Sequence, residues 1–155
     1  MCGIAGLFNA SPLFSGADER DRVLRAMAGS MRHRGPDDEG IWHDPAGRCS
    51  LAQRRLAIID LSPAGHQPML SRDGRWALTY NGEIYNFASL RDEFASPAEP
   101  YRGRSDTEVL LRALARHGAD VLPRLDGMYA FAAFDRAAGR LLLARDPFGE
   151  KPLYY

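Results

Sequence analysis

Cysteine is scarce in this sequence, with only Cys2 and Cys49 in 155 residues. Two cannot build the disulfide framework of a small secreted domain, and neither sits in a Cys-x-x-Cys pair of the kind that holds zinc. A reducing compartment is the simpler setting. Charge of one sign is missing as well, because 20 Lys and Arg balance 20 Asp and Glu. With no net charge there is no bulk electrostatic footprint for a phosphate backbone or an acidic membrane surface, so nucleic-acid and membrane partners are set aside. No apolar run approaches the roughly 20 residues needed to span a bilayer. The first residues lack a basic stretch followed by an apolar core, so no signal peptide is expected and the cytoplasm is the expected location. Internal repeats, low-complexity tracts, GxGxxG and GxxxxGK(S/T) are all missing, and nothing in the chain looks built to hold a nucleotide.

What is present suits a globular domain: 45% hydrophobic residues supply a core and 26% charged residues a solvated surface. The singular stretch is Met1-Cys2-Gly3, followed by the apolar run Ile4-Ala5-Gly6-Leu7-Phe8. Removal of an initiator methionine is normally permitted when the second residue is small, and Cys2 then becomes amino-terminal. One residue would carry a thiol nucleophile and an α-amine whose unperturbed pKa of about 7.7–8.0 suits it to act as the adjacent base. A cysteine at position 2 also arises by accident of sequence, so position alone does not decide.

Periodicity places the elements. Residues 2–8 read as a buried strand bounded by Asn9 and Ser11-Pro12, and residues 18–31 as an amphipathic helix with Val23, Leu24, Met27 and Met31 inward. Residues 32–40 are a charged loop rich in glycine and proline. Strands are expected over residues 41–43 and 49–59, around a turn at Asp44-Pro45-Ala46-Gly47. Arg55 lies in the second of them, as a surface arginine or as a cation facing a polar cavity. Asp73-Gly74 marks a hairpin before a strand over residues 76–80, and Asn81-Gly82 reads as a second turn. A short helix over residues 87–94 takes Asn86 as its cap, with Leu90 and Phe94 on one face. Ser105-Asp106-Thr107-Glu108 has the form of a capping box opening a helix to His117, with Val109, Leu110, Ala113 and Leu114 inward. Residues 127–135 and 141–146 form an antiparallel hairpin, and residues 152–155 read as a strand cut short, which points to a domain continuing past Tyr155. Cys49 has no motif partner and is expected to be a buried, inert thiol. His43, His66 and His117 show no metal-ligand clustering.

Taken in order, Met1-Cys2-Gly3-Ile4, Arg32-His33-Arg34-Gly35-Pro36-Asp37, Arg55-Leu56-Ala57-Ile58-Ile59-Asp60, Asn81-Gly82-Glu83-Ile84-Tyr85-Asn86 and Ser105-Asp106-Thr107-Glu108 resemble one family. It is the N-terminal glutaminase domain of glutamine-hydrolysing asparagine synthetases, within the class II glutamine amidotransferases. Gly127-Met128-Tyr129-Ala130-Phe131 and Arg145-Asp146-Pro147-Phe148-Gly149 extend the resemblance over nearly the whole chain. It implies an α+β fold of the Ntn-hydrolase type, a four-layer αββα sandwich of two antiparallel sheets, with residues 1–155 forming part of the domain.

The resemblance also implies roles. Cys2 attacks the glutamine side-chain amide, and Asn81 with the Gly82 N–H receives the oxyanion. Arg55 pairs with the substrate α-carboxylate and Asp106 with its α-ammonium, while Glu83 holds the amide or the polar end of glutamine. The main chain around Ile58 and Ile59 lines the pocket, and Arg34 and Gly35 support its border. Neither metal nor cofactor is expected in this domain. ATP and Mg2+ are implied for a C-terminal or separate synthetase domain, missing from the chain, which receives the ammonia and amidates aspartate or a related acceptor in asparagine biosynthesis. A homodimer is left open. The competing expectation is a non-catalytic remnant or interaction module of the same fold, acting with a partner synthetase. Retention of Cys2, Arg55, Asn81, Gly82 and Asp106 together argues against that decay. The acceptor is open too, since relatives of the family amidate or cyclise other molecules.

Overall fold

Side-chain alternation along the strands sorts the apolar residues into three separate interfaces. In the computed structural model, which describes residues 2–9, 14 and 16–155, strands β1 (Gly3–Phe8), β2 (Asp38–His43) and β3 (Cys49–Arg55) form an antiparallel sheet in the order β1-β3-β2. Strands β4 (Met69–Leu70), β5 (Trp76–Ile84), β6 (Gly127–Asp135) and β7 (Arg140–Arg145) form a second antiparallel sheet in sequential order. Among the described residues three α-helices accompany them: α1 (Ala17–Ser30), α2 (Phe87–Glu93) and α3 (Asp106–His117).

On β6, Tyr129, Phe131 and Ala133 share a cluster with Trp76, Leu78 and Tyr80 of β5 and with Val109, Leu110, Ala113 and Leu114 of α3. The intervening Ala132 and Phe134 face the other way and meet Cys49 and Leu51 of β3 and Ala77 of β5. A third cluster seats Leu24 and Ala28 of α1 on Ala52 of β3, with Ala5, Leu7 and Ile41 beside them. The layers therefore run helix, sheet, sheet, helix, as the resemblance implied. Burying each large side chain in these clusters stabilises the fold by roughly 1.5–3 kcal/mol. Two buried hydrogen bonds also cross between the sheets: Gln53 Nε2 donates to the Tyr80 carbonyl (2.8 Å) and Thr79 Oγ1 to the Ala52 carbonyl (3.2 Å). At the far end, the Asp44 carboxylate holds Arg48 Nε (2.9 Å) and Arg136 Nε (3.5 Å), tying the turn after β2 to the turn after β6.

Several local expectations are corrected. Strand β2 starts inside the charged loop, because Asp38 and Glu39 pair with Arg55 and Arg54. Strand β3 ends at Arg55 rather than Ile59; the next N–H groups leave the ladder, Leu56 bonding to Cys2 Sγ and Ala57 to Asp37 Oδ2. Asn81-Gly82 is no turn, since both sit inside β5 opposite Ala130 and Tyr129. A Cβ on Gly82 would collide with the Met128 carbonyl and Tyr129 Cα, so glycine there answers to close approach of the neighbouring strand. Asn86 makes no cap bond; its side chain joins Arg124 O (2.9 Å) and Asp126 N (3.1 Å). Ser105 does cap α3, accepting from Glu108 N at 3.4 Å, but Glu108 turns its carboxylate to Arg102 N and Gly103 N instead of completing the box. Met27 of α1 is 37% exposed, so the buried stripe is Leu24 and Ala28, and Met31 lies against Gly3. Residues 152–155 adopt no strand, having no ladder partner among the described residues. Ser11 and Pro12, expected to end β1, lie outside the described residues.

Asp146 organises the loop that follows β7. Its buried carboxylate accepts from the main-chain N–H groups of Tyr129 (3.2 Å), Phe148 (3.1 Å), Glu150 (2.9 Å) and Lys151 (3.0 Å). Burial is the largest single influence and favours the neutral acid, but these N–H bonds together hold the carboxyl below its ordinary value of 3.8. A depressed carboxyl contributes stability that is present above the unfolded value and lost as pH falls through the folded one. Asp146→Ala strands several of those donors and is expected to cost on the order of 3 kcal/mol in urea denaturation. The deficit relative to the unsubstituted chain should shrink in acid, and an equal deficit at every pH would count against the carboxylate.

Candidate active site

Register brings four strand ends to one end of the sandwich. Gly3 opposite Arg54 sets Cys2 beside the point where β3 stops, and Glu83 opposite Met128 pairs the end of β5 with the start of β6. The N-terminus of α3 arrives at the same end, because Asp106 is bonded to Ile84 and Tyr80. Between these ends lies a pocket with about 640 Å³ of empty space including its open mouth. Every residue assigned a catalytic or substrate role lines it: Cys2, Asn81, Gly82, Arg55, Ile58, Ile59, Glu83 and Asp106. Arg34 and Gly35 do not.

Cys2 is half-buried, and its sulfur accepts from Leu56 N at 3.4 Å and lies 3.7 Å from the Leu56 carbonyl. Arg34 Nε donates to the Cys2 carbonyl at 3.1 Å. Arg34 therefore anchors the main chain of Cys2 from a neighbouring groove that also includes Asn81. Gly35 is buried on the Arg54–Arg55 peptide, where a Cβ would overlap the backbone. Both act from behind the pocket wall.

Asn81 is buried and has the strand parity of Ala77 and Thr79, the residues of β5 that meet the first sheet. That parity turns it toward the side of the sandwich from which Cys2 comes. Glu83 has the same parity and is half-buried. Arg55 is buried, and its guanidinium donates from Nη1 to the Ser62 carbonyl (3.1 Å) and from Nη2 to the Asp60 carbonyl. A Cβ on Gly65 would occupy the guanidinium's seat. Asp60 steadies the same loop, accepting from Ser62 Oγ (2.6 Å), Ser62 N (2.9 Å) and Arg104 N (2.8 Å). The Ser62 hydroxyl, followed by the Arg104 N–H, holds its carboxyl below the ordinary range. Ile59 and the 69% exposed Ile58 form the outer lip.

Asp106 opens α3, where the helix dipole favours a negative charge. Its Oδ2 accepts from Tyr80 Oη (2.7 Å) and Ile84 N (3.1 Å). Burial outweighs these bonds and raises its carboxyl above the ordinary value. Cys49 behaves as the inert thiol expected, since burial, then the Asp44 carboxylate, pushes it up to about 12. Among the described residues no group of three or more His, Cys, Asp or Glu is arranged to hold a metal ion, and no helix is long and apolar enough to cross a membrane.

Seven wall residues were given no site role by the sequence reading: Leu56, Asp60, Gln67, Tyr80, Ser105, Met128 and Lys151. Lys151 is buried and donates from Nζ to Met128 Sδ (2.9 Å). Tyr80 and Met128 abut residues already singled out, but strand alternation alone marks Tyr80 as core. Gln67 and Lys151 come from loops, and no periodicity points them inward.

Comparison with known proteins gives the family and the fold. A family model described as a glutamine amidotransferase domain covers residues 1–155. An asparagine synthetase [glutamine-hydrolyzing] 1 of Bacillus subtilis is 40% identical over all of this chain and 24% of its own length. A putative asparagine synthetase [glutamine-hydrolyzing] of Mycobacterium tuberculosis is also 40% identical, over 99% of this chain and 25% of that protein. A putative counterpart of Methanocaldococcus jannaschii is 36% identical over 100% of this chain and 32% of that protein. The chain thus spans about a quarter to a third of these relatives, corresponding to their N-terminal part. A solved glutamine phosphoribosylpyrophosphate amidotransferase of B. subtilis, in complex with ADP and GMP, superimposes with a TM-score of 0.67 at 22% identity, over 96% of this chain and 37% of that one. That likeness is one of fold, and it agrees with the Ntn-hydrolase arrangement expected.

The charge on Asp106 opposes folding. A carboxyl whose folded value is raised contributes stability that is fully present below the unfolded value and lost as pH rises through the folded one. Asp106→Asn keeps an acceptor for Tyr80 and Ile84 while removing the buried charge. It is expected to raise the melting temperature near neutral pH and to lose that advantage in acid. A lower melting temperature for Asp106→Asn at neutral pH would contradict the assignment.

Proposed function

Because the chain belongs to the glutamine amidotransferase domain family, we propose that it hydrolyses the side-chain amide of glutamine with Cys2, once Met1 is removed, as the nucleophile. The observation that carries the reading is the convergence of Cys2, Asn81, Arg55 and Asp106 on one pocket. The thiol gives its proton to the α-amine of the same residue, and the sulfur adds to the amide carbon. The Asn81 side-chain amide and the Gly82 N–H stabilise the oxyanion. Collapse of the tetrahedral intermediate expels ammonia, protonated by the α-ammonium of Cys2, and leaves a γ-glutamyl thioester. Water then adds to the thioester with the α-amine as base, releasing glutamate and restoring the thiol.

Selectivity comes from the charged end of the substrate. Arg55 commits two of its five N–H donors to the Asp60 and Ser62 carbonyls, which fixes the guanidinium plane and leaves the rest of the fork for the glutamine α-carboxylate. Asp106 meets the α-ammonium, and Glu83 holds the amide or another polar part of the bound glutamine. Ile58, Ile59 and their main chain close the lip, while Arg34 and Gly35 hold Cys2 and the β3 end in register. On this reading residues 1–155 are part of a class II glutamine amidotransferase domain working in the cytoplasm. Its ammonia passes to a synthetase domain, on the same chain or a separate one, that uses ATP and Mg2+ to amidate aspartate or a related acceptor.

Acid quenching during turnover, followed by peptide mass spectrometry, is expected to find a γ-glutamyl group on Cys2 and none in Cys2→Ala. Asn81→Ala is expected to lower kcat about 10²–10³-fold. Absence of the adduct from an active enzyme, or full kcat in Asn81→Ala, would refute the mechanism.

A further inference from the structure

Tyr80 lies at the crossing of three hydrogen bonds that reach three other segments. Its N–H donates to Gln67 Oε1 (2.7 Å), its carbonyl accepts from Gln53 Nε2 (2.8 Å), and its hydroxyl donates to Asp106 Oδ2 (2.7 Å). The ring is closed by Gln67 Nε2, which donates to the hydroxyl of Thr107, the neighbour of Asp106, at 3.1 Å. Tyr80, Gln67, Gln53, Asp106 and Thr107 are all buried. Within this ring the Tyr80 hydroxyl is the only side-chain group bonded to the Asp106 carboxylate. The other bond to Oδ2 comes from the main-chain N–H of Ile84 at 3.1 Å.

Two donors on a single oxygen fix the carboxylate's rotation about its Cβ–Cγ bond. A buried phenol tied to both sheets through its own main chain is a rigid support for that purpose. Without the phenol the carboxylate would keep its charge and its main-chain donors but lose its one side-chain brace, and an ammonium bound at short range is sensitive to aim. Burial of Tyr80 by itself would be explained by packing, because the ring belongs to the core cluster under α3. The placement of its hydroxyl on a pocket-lining carboxylate is what packing leaves unexplained.

Building on the proposed glutamine reading, we propose that Tyr80 is a positioning residue: its hydroxyl holds Oδ2 of Asp106 so that Oδ1 is presented to the α-ammonium. It thereby sets the preference for an α-amino acid amide over the same amide without the amino group. Tyr80 takes no part in bond making and acts on the substrate through Asp106.

The test uses Tyr80→Phe in the chain with Cys2 amino-terminal, assayed on L-glutamine and on 4-carbamoylbutanoate, which lacks only the α-amino group. The ratio of the two kcat/KM values is expected to fall about tenfold, with the loss in KM for glutamine rather than in kcat. A structural lesion would lower both substrates together, so an unchanged ratio overturns the proposal. Glutamine binding by calorimetry in the Cys2→Ala background gives a second readout: Tyr80→Phe should weaken glutamine about tenfold and leave 4-carbamoylbutanoate as it was. Equal weakening of both ligands also overturns it. If the unsubstituted chain, with its amino-terminus verified, neither hydrolyses nor binds glutamine, the glutaminase reading itself fails and this proposal with it. Hydrolysis by the parent chain with an unaltered ratio in Tyr80→Phe fails the positioning role alone.

Discussion

The hydrogen bond from Gln53 Nε2 to the Tyr80 carbonyl spans the two sheets at 2.8 Å, and the site depends on the spacing it helps to set. Cys2 and Arg55 belong to the first sheet and its continuation; Asn81, Glu83 and the support of Asp106 belong to the second. No strand carries the nucleophile together with its proposed oxyanion donor. Their meeting requires the sheets to stack at a fixed distance and in a fixed register. Thr79, bonded to the Ala52 carbonyl, repeats the connection one residue away on each strand. In an otherwise apolar interface these buried polar bonds favour one alignment, since a slip along the strand strands both partners.

The two ends of the sandwich use buried charge differently. Around Asp44, Arg48 and Arg136 the charges are paired with one another, and the arrangement serves stability. Around the pocket, Asp106 is buried with neutral donors on its carboxylate, and Arg55 is buried against main-chain carbonyls. Neither has its opposite charge among these bonds. A zwitterionic amino acid supplies a carboxylate and an ammonium that complement the two residues. The pairing of each cation and anion with its own kind of neutral partner is what makes the pocket selective in the proposed reading.

Much of this was legible in the amino-acid order. The inward face of α3 follows from periodicity, because its partner imposes a single buried face, and the β6–β7 hairpin follows from two apolar runs around a turn, β6 being buried on both faces. The eight proposed catalytic and substrate residues lie on one pocket, but their grouping came from the order of motifs, since residues 2, 55, 81 and 106 are distant in sequence and only sheet stacking unites them. Asn81-Gly82 misled because an Asn-Gly pair has the same local appearance in a turn and in a strand that lets its neighbour approach closely. Residues 56–59 are apolar enough to read as a continued strand, yet their first N–H groups are claimed by the Cys2 sulfur and Asp37. Tyr80, Gln67 and Lys151 were illegible for a related reason: their significance lies in tertiary hydrogen bonds, which leave no periodic trace.

The central claim is that Cys2 supplies both nucleophile and base, which requires its α-amine to be free. The most direct measurement compares glutamate release from glutamine by the chain beginning at Cys2 with release by the same chain retaining Met1, each amino-terminus verified by mass spectrometry. The account predicts turnover from the processed chain and none above background from the Met1-bearing one. Equal turnover from both would contradict it and place the base on another residue of the pocket.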